Sequence, residues 1–410
     1  MYNVGLRKIS EAKRMDAETF EILRGAVRRF VEARLIPSED RVEAEDAVPE
    51  EIIAEMREQG LFGISIPVEY GGLGLSMSEE AGIIRELGRA SLAFRSVIGT
   101  TVGIGSQGIV LDGTEEQKRQ WLPRMASGEV SASFALTEPG AGSDAASLRT
   151  TAVRQGDTYR LNGVKRYITN APRAGVFTVM ARTESEKKGA SGISAFIVAA
   201  GTPGMSLGLP ERKMGQRGTV LTDVIFDDCI VPASSIIGGI PGMGFKTAMK
   251  VLDRGRIHLS ALASGMSDRL IEESVRYATQ RKQFGRAIGE FQLVQGMLAD
   301  SRTEAFASRV MVEDVARRYD AGEFVSNDVA CTKYFATEAV GRIADRAVQI
   351  HGGAGYMNAS KVERFYRDVR VLRIYEGTSQ IQQLIIARGL LRSERGEIEA
   401  PTVSGNASRP

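Results

Sequence analysis

The 410-residue sequence predicts a multidomain α+β protein with an N-terminal helical domain, a middle antiparallel β-barrel and a C-terminal four-helix bundle. Two changes of pattern along the chain predict this order. Apolar residues recur at helical spacing in the first third, short β-rich segments follow, and long amphipathic stretches return after the Gly-rich residues 238–244. These changes place the domains at residues 1–127, 128–240 and 241–395, with a flexible polar tail at 396–410.

The N-terminal helices are predicted from apolar residues that recur every three or four positions. One such pattern starts at Phe20 and a second follows Pro49, before a Gly-Pro loop over residues 64–74 interrupts it. Helical spacing resumes at residues 76–87 and 115–125, and a Ser-Gly pair closes the last of these helices.

The middle segment is predicted to form strands because its β-rich stretches are short and bounded by turn residues. These stretches cover residues 131–136, 151–161, 176–181, 193–199 and 220–231. Amphipathic patterns then predict long helices, of which the first three cover residues 245–279, 291–319 and 326–350. An apolar run at residues 381–391 follows, and four long helices in succession favour a bundle.

The composition argues against several classes of protein. The formal net charge is only +2, whereas dedicated nucleic-acid binders concentrate a basic excess. Cys229 and Cys331 are the only cysteines, and neither has a Cys or His at metal-ligand spacing, so no metal site is predicted. The first twenty residues lack the apolar core of a secretory signal, and no apolar run reaches transmembrane length. We therefore expect a soluble cytoplasmic protein, or one of the mitochondrial matrix if the source is eukaryotic.

The stretch RIYEGTSQIQ at residues 373–382 places the carboxylate of Glu376 just before Gly-Thr-Ser and an apolar run. Thr378 or Ser379 is a natural helix cap, so Glu376 would lie on the loop that enters a helix. The start of a helix carries partial positive charge and unpaired N–H groups, which suit a phosphate or carboxylate. A base beside an anion site suggests proton abstraction from a phosphate-bearing ligand, although helix capping alone would also explain Glu376.

Three further motifs are weaker individually. In ALTEPGAGSD, at residues 135–144, open N–H groups and two hydroxyls could hold a pyrophosphate or a ring edge, but a simple Gly-Pro turn has the same composition. QIHGGAGY, at 349–356, follows a helical stretch, which argues against a P-loop and leaves close approach of a ligand or a second chain. RKQFG, at 281–285, fits either a phosphate-binding Arg beside an aromatic ring or a solvated helix end with a glycine cap.

Together these motifs resemble the acyl-CoA dehydrogenase family of flavoproteins, in the family's order and spacing, from about residue 17 to 392. The resemblance implies the three-domain fold predicted above, and an FAD held between the β domain and the C-terminal bundle with help from a second subunit of a homotetramer. It also implies dehydrogenation of an acyl-CoA to the trans-2-enoyl-CoA, with electron-transferring flavoprotein as the electron acceptor. Related acyl-CoA oxidases, which use oxygen, usually carry an extra C-terminal domain that is not seen in this sequence.

Carried over position by position, the resemblance implies roles for residues in each motif. The residues implied in FAD binding are Phe134, Leu136, Thr137, Gly142, Ser143, Tyr167, Thr169, Arg281, Gln283, Phe284, Gln292, Gln349, Gly352, Gly353, Thr378 and Gln380. Those at 281–292 and 349–353 would come from the neighbouring subunit. The residues implied in acyl-CoA binding are Ser143, Asp253, Arg256, Gly377 and Arg388.

Glu376 is the catalytic base that the resemblance implies. A few relatives carry the base instead in an LDxER pattern, but Gly255 stands at that position here, so Glu376 is the remaining candidate. Ala359 departs from the family pattern, which has an acidic or amide residue there, and lies outside the inferred chemistry. The alternative is a member that has lost catalysis and serves in assembly or nucleic-acid binding, which the intact Glu376 and the near-neutral charge disfavour.

The acyl tail is expected to lie partly against residues 91–107. The small side chains of this segment, with glycines at 99, 103 and 105, could admit a long or branched tail. Close helix packing would explain the same glycines equally well.

Overall fold

The computed structural model describes residues 15–184, 186–187 and 189–395. The predicted flexible tail, residues 396–410, lies outside the described residues. The helices of the first part are α1 (Ala17–Phe30), α2 (Ile36–Glu45), α3 (Glu50–Glu58), α4 (Met77–Leu87), α5 (Leu92–Gly99), α6 (Gln107–Asp112) and α7 (Glu115–Ala126), with π-helical segments at Val31–Leu35 and Thr100–Gly105. Capping boxes start α4 at Ser76 and α7 at Thr114, because the side chain and backbone of each cap exchange hydrogen bonds with the residue three positions later.

The middle of the chain forms a seven-stranded sheet with the order β1-β4-β2-β3-β7-β6, in which β5 also pairs with β4. The strands are β1 (Ser131–Ala135), β2 (Thr151–Gln155), β3 (Thr158–Thr169), β4 (Ala174–Arg182), β5 (Ile193–Ala199), β6 (Met205–Leu207) and β7 (Leu221–Pro232). The prediction missed β6 because three residues are too short to show alternation.

The prediction of an antiparallel sheet needs one correction. β1 runs parallel to β4, from Ser131 opposite Ala174 to Ala135 opposite Val179, and β2 makes one parallel pair with β4. The β2–β3 hairpin lies between β1 and β4 in sequence, and this long connection lets the chain return in the same direction. The other pairings are antiparallel.

The helices of the last part are α8 (Gly244–Gln280), α9 (Gln292–Asp320), α10 (Ser326–His351), α11 (Gly353–Tyr356), α12 (Lys361–Val369) and α13 (Ser379–Glu394). A small hairpin, β8 (Lys282–Gln283) with β9 (Arg286–Ala287), separates α8 from α9. One of the two interpretations of residues 281–285 in the sequence is a helix end with a glycine cap, but α8 already ends at Gln280. Phe284 and Gly285 then turn the hairpin with φ of 52° and 84°, as a type I′ turn requires.

The first and last helical segments share one hydrophobic core, in which Leu87 and Ile98 pack with Leu262 and Ile343. A separate core lies within the sheet. The domain boundaries predicted from the sequence therefore remain predictions. None of the described helices combines the length and apolar character that a bilayer span requires.

Candidate active site

A cavity of about 680 Å³ opens where the sheet, the α5 region, α8 and the start of α13 meet. It collects most of the residues that the sequence implied for the cofactor face and the acyl-CoA. Those that line it are Phe134, Leu136, Thr137, Gly142, Ser143, Tyr167, Thr169, Arg256, Glu376, Gly377 and Arg388. Residues that are far apart in the sequence thus line the same cavity.

Glu376 lies in a loop with an unusual backbone. Its φ is 53° and that of Gly377 is 92°, although a side chain makes a positive φ costly by about 1–2 kcal/mol. Side chains from three helices hold the two carbonyl groups of this loop. Arg256 of α8 donates to the Glu376 carbonyl at 3.1 Å, and Lys333 of α10 donates to the Gly377 carbonyl at 2.7 Å. Gln382 of α13 donates to both, at 3.4 and 3.0 Å.

The Glu376 carboxylate is buried and only partly compensated by neighbouring charges. Its Oε2 is buried and has no hydrogen-bond partner among the described residues. Burial raises the pKa of this carboxyl above its ordinary value, and three cations offset the rise only in part. In order of effect, these are Arg95, Lys333 and Arg256. A carboxylate in this state is able to accept a proton from a ligand in the cavity.

Gly255 lies directly beneath this carboxylate. A Cβ built on Gly255 would stand 2.3 Å from Glu376 Oε2, closer than any real contact. The position that carries the base in a few relatives is therefore filled here by the carboxylate of Glu376 itself. A side chain at residue 255 and the Glu376 carboxylate in this position cannot both be accommodated.

Arg256 joins the loop to the predicted acyl-CoA residue Asp253. The Arg256 guanidinium donates to Asp253 Oδ1 at 2.7 Å while its Nε holds the Glu376 carbonyl. Asp253 does not line the cavity, and burial raises its pKa despite the neighbouring Arg256. Asp253 therefore orients Arg256 in this structure.

Of the two caps that the sequence allows at the start of α13, the structure uses Thr378. Thr378 accepts a hydrogen bond from the Ile381 N–H at 3.2 Å, and Ser379 donates to Glu338 at 2.6 Å. Neither Thr378 nor Gln380 lines the cavity, but both belong to the helix end beside Gly377.

The opposite wall is formed by β1, the loop after it and the end of β3. Ala141 pairs with Glu138 in a tight turn, and added Cβ atoms on Gly140 and Gly142 would meet nothing within 4 Å. Beneath the loop, Lys165 is fully buried and donates to Glu138 at 2.8 Å and to the Leu136 carbonyl at 3.1 Å. This buried ion pair fixes the loop from below and leaves its upper surface open.

Tyr167 stands out on the same wall. The register of β3 shifts against β7 between Lys165 and Ile168, and Tyr167 takes a positive φ of 58° inside this irregularity. The shift turns the tyrosine towards the cavity, where its ring is 54% exposed. An exposed aromatic ring beside an open, glycine-rich loop fits the flat ring system of a flavin.

The residues implied for the neighbouring subunit lie elsewhere. Arg281, Gln283, Phe284, Gln292, Gln349, Gly352 and Gly353 are all exposed and do not line the cavity. Stacked rings of Tyr277 and His351, with centroids 4.3 Å apart, join the two segments at one end of the bundle. Phe284 is 93% exposed at the tip of the hairpin. The two segments therefore form one surface.

Sequence reasoning missed three residues of the site. Arg95 and Lys333 are buried, and each stands among small or apolar residues of its helix, so an isolated charge in an apolar helical face was the available signal. Gln382 gives no such signal, since a glutamine near a helix start is ordinary. Its role depends on the path of the Glu376 loop, which no local pattern encodes.

Comparison with known proteins places these features in a family. Models of the acyl-CoA dehydrogenase N-terminal, middle and C-terminal domains match residues 17–129, 133–229 and 242–391. The chain is 43% identical to 3-(aryl)acrylate reductase of Clostridium sporogenes, over 92% of this chain and 99% of that protein. It is 39% identical to the caffeyl-CoA reductase–Etf complex subunit CarC of Acetobacterium woodii, over 92% and 99%.

Among solved structures, butyryl-CoA dehydrogenase from Megasphaera elsdenii matches with a TM-score of 0.88 and 34% identity, over 92% of this chain and all of that one. The fold, with its helical, β and helical parts, is that of this family. The chain thus belongs to the acyl-CoA dehydrogenase family of FAD-dependent flavoprotein oxidoreductases.

Proposed function

We propose that the protein dehydrogenates an acyl-CoA thioester to the trans-2-enoyl-CoA, with Glu376 as the base that removes the α-proton. One observation carries the proposal: a buried carboxylate with an unpartnered oxygen, Glu376 Oε2, faces the cavity that the predicted flavin-binding loop also lines. Helix capping alone does not explain Glu376, because Thr378 makes the cap. FAD, when bound, accepts the hydride from the β-carbon.

The residues that would hold FAD are those of the open wall. We assign the flavin ring to the space beside Tyr167 and the loop over Thr137, Gly142 and Ser143, since this wall offers an exposed ring, hydroxyl groups and unobstructed backbone. Thr169 would add a hydroxyl from the end of β3.

The Glu376 loop has two tasks in this proposal. The carboxylate takes the α-proton at Oε2, and the backbone N–H of Glu376 is assigned to the thioester oxygen, as the family resemblance implies. A donor of this kind contributes roughly 3–4 kcal/mol to the transition state. The carbonyls of the loop are already bound by Arg256, Lys333 and Gln382, so its orientation is set before the substrate arrives.

The balance of charge keeps the base usable. Burial raises the pKa of Glu376, which strengthens it as a base, while Arg95, Lys333 and Arg256 lower the pKa and favour the ionised form. Lys333 is itself affected, since burial lowers its pKa to about 8, while the nearby Glu376 raises it in part. Arg388, at the mouth of the cavity, is available for an anionic group of the coenzyme A moiety.

We further propose that electron-transferring flavoprotein reoxidises the enzyme and that the active form is a homotetramer. The name of the Acetobacterium relative, which belongs to an Etf complex, supports the first proposal. The exposed surface formed by the 281–285 hairpin and the end of α10 supports the second, since these residues would reach the cofactor of a neighbouring subunit.

The variant Glu376→Gln tests the assignment of the base. We expect it to keep FAD and acyl-CoA but to lose almost all reduction of the flavin in an anaerobic titration with acyl-CoAs. Glu58→Gln, an exposed residue of α3, is the matched control and should behave like the wild type. Flavin bleaching by Glu376→Gln at the wild-type rate would remove Glu376 from this role.

A second candidate is the reverse reaction, reduction of a 2-enoyl thioester. The names of the Clostridium and Acetobacterium relatives, both reductases, favour it. The same base would then return the proton to the α-carbon. Mixing reduced enzyme with an enoyl-CoA, and oxidised enzyme with the saturated thioester, gives the two rates directly. Faster reoxidation of the reduced flavin by the enoyl-CoA than reduction of the oxidised flavin by the saturated thioester would favour the reductase, and the opposite order would favour the dehydrogenase.

A further inference from the structure

Arg95 of α5 is a buried cation with no ion-pair partner among the described residues. The residue is only 6% exposed, it lines the cavity, and its Nε is buried without a hydrogen-bond partner among the described residues. No described carboxylate lies within ion-pairing distance of its guanidinium. A buried arginine is almost always paired, because an uncompensated charge is costly to bury. An absent partner at this position therefore points to an anion that binds in the cavity.

Two glycines make room for the guanidinium. A Cβ on Gly99, one turn after Arg95, would stand 2.8 Å from the guanidinium carbon, and one on Gly103 would stand 3.5 Å from Nη2. Gly105, in contrast, packs against Ala132 of β1. Close packing thus explains Gly105, whereas Gly99 and Gly103 make room for the Arg95 guanidinium and not directly for an acyl tail.

The other groups at this end of the cavity are polar as well. Ser96, Thr100, Gln216 and Tyr375 all line it. Gln216 Nε2 and the Tyr375 hydroxyl are both buried and interact with each other, but neither makes a hydrogen bond of full strength among the described residues. Burial raises the pKa of Tyr375, so the hydroxyl stays a donor at neutral pH. Buried donors around Arg95 without a full hydrogen bond do not suit a purely hydrocarbon tail.

The surrounding charges leave Arg95 free for a ligand. Glu80, the buried carboxylate behind it, is already bound by Arg254 and His258. Burial lowers the pKa of His258, which favours its neutral ring, so the ring adds no positive charge beside Arg95. Glu376 also lines the cavity and interacts electrostatically with Arg95, but the two make no ion pair within the described part of the chain.

We propose that the acyl group of the substrate carries a carboxylate at the end remote from the thioester, and that Arg95 binds this carboxylate. The planar guanidinium suits a carboxylate through paired hydrogen bonds. The inference rests on the proposed function, since it names the class of thioester that the same cavity accepts. The ligand class is an ω-carboxyacyl-CoA, and the matching alkyl acyl-CoA is the discriminating comparison.

The competing explanation is that Arg95 serves only as a counter-ion for Glu376. The two roles separate in the Glu376→Gln background, where the carboxylate charge is gone. Binding of succinyl-, glutaryl- and adipoyl-CoA is compared with binding of butyryl-, pentanoyl- and hexanoyl-CoA, through the change each causes in the spectrum of the oxidised flavin. Each pair has equal chain length and differs in the terminal group. The comparison is repeated in Glu376→Gln/Arg95→Gln.

We expect at least one ω-carboxyacyl-CoA to bind Glu376→Gln more tightly than its alkyl counterpart, by roughly 10- to 100-fold. Arg95→Gln should abolish this preference while alkyl binding changes little. Arg95→Lys should restore part of it, since the charge returns without the paired geometry. Arg119→Gln, which removes an exposed cation of α7, is the control for loss of positive charge.

Equal binding of each pair in Glu376→Gln, or a preference that survives Arg95→Gln, would overturn the inference. Turnover distinguishes this failure from a failure of the proposed function. Bleaching of the wild-type flavin by alkyl thioesters alone would refute the carboxylate site but keep the dehydrogenase. A preference for ω-carboxyacyl binding without bleaching by any thioester would keep the site but refute the dehydrogenase.

Discussion

Replacement of Gly255 by alanine should displace Glu376, the proposed catalytic base, without unfolding the protein. The added Cβ would stand 2.3 Å from Glu376 Oε2, whereas ordinary contacts begin at 3.4 Å, so the carboxylate must move by about 1 Å. The next neighbours, the Ile104 methyl and Glu376 Cδ, are at 3.1 and 3.2 Å. The atom in the way is the end of a flexible side chain, so the strain is relieved by rotation of Glu376 rather than by movement of backbone.

The expected effect on rate follows from that displacement. A shift of about 1 Å in a reacting group costs on the order of 10²-fold in rate. The expected effect on stability is small, because Gly→Ala inside α8 gains up to about 1 kcal/mol of helix propensity, which offsets the local crowding. We therefore expect kcat for flavin reduction to fall roughly 100-fold, with binding of acyl-CoA retained and the melting temperature nearly unchanged.

Stopped-flow reduction of the flavin and thermal melting measure the two effects separately. Gly25→Ala in α1 is the matched control, because its new Cβ makes only an ordinary 3.5 Å contact with Arg29. It should gain the same helix propensity and keep full activity. A Gly255→Ala enzyme with wild-type kcat would refute the reasoning, and so would a large fall in melting temperature, which would place the clash in the fold instead of the base.

Three further predictions concern the groups that support the site. Lys333→Met removes a positive charge that lowers the pKa of Glu376, so the acid limb of the pH profile of kcat/KM should move to higher pH. An acid limb that stays in place or moves to lower pH would contradict this prediction. Lys165→Met removes the ion-pair partner of the buried Glu138 and should lower the free energy of unfolding by about 3–5 kcal/mol. The double variant Lys165→Met/Glu138→Gln should recover much of this loss of stability. Equal melting temperatures for the single and double variants would argue against a buried ion pair. Thr378→Ala removes a helix cap and should cost about 1 kcal/mol by chemical denaturation, and an unchanged midpoint and slope would show that the cap is dispensable.

The sequence predicted those features that local pattern controls. Helix α9 at Gln292–Asp320 and strand β5 at Ile193–Ala199 follow from periodicity and from flanking turn residues. The cap at Thr378 follows from residue type alone. The family resemblance added the grouping of Glu376 with the loop over residues 134–143, which no local pattern implies and which the cavity brings together.

The sequence did not predict what depends on tertiary contacts. The parallel pairing of β1 with β4 depends on where a long connection returns, and the same residues would satisfy an antiparallel edge. The hairpin at Phe284 has an aromatic residue at a positive φ, which residue preferences disfavour. Arg95 of α5 and Lys333 of α10 belong to the site because two helices far apart in the sequence approach the Glu376 loop. A single charged residue in an apolar helix does not identify its neighbours.

The position of the base is therefore a property of the bundle more than of its own segment. Glu376 adopts a backbone conformation that costs about 1–3 kcal/mol, and such conformations persist only where the surroundings fix them. Here the fixing groups are side chains of α8, α10 and α13 that bind the carbonyls on either side of the Glu376–Gly377 bond. A perturbation that loosens the packing of these helices would first release the loop, because the loop stores strain while the helices do not. Activity should then fall before the melting temperature does, and the order of the two losses reports how far the bundle holds the base in place.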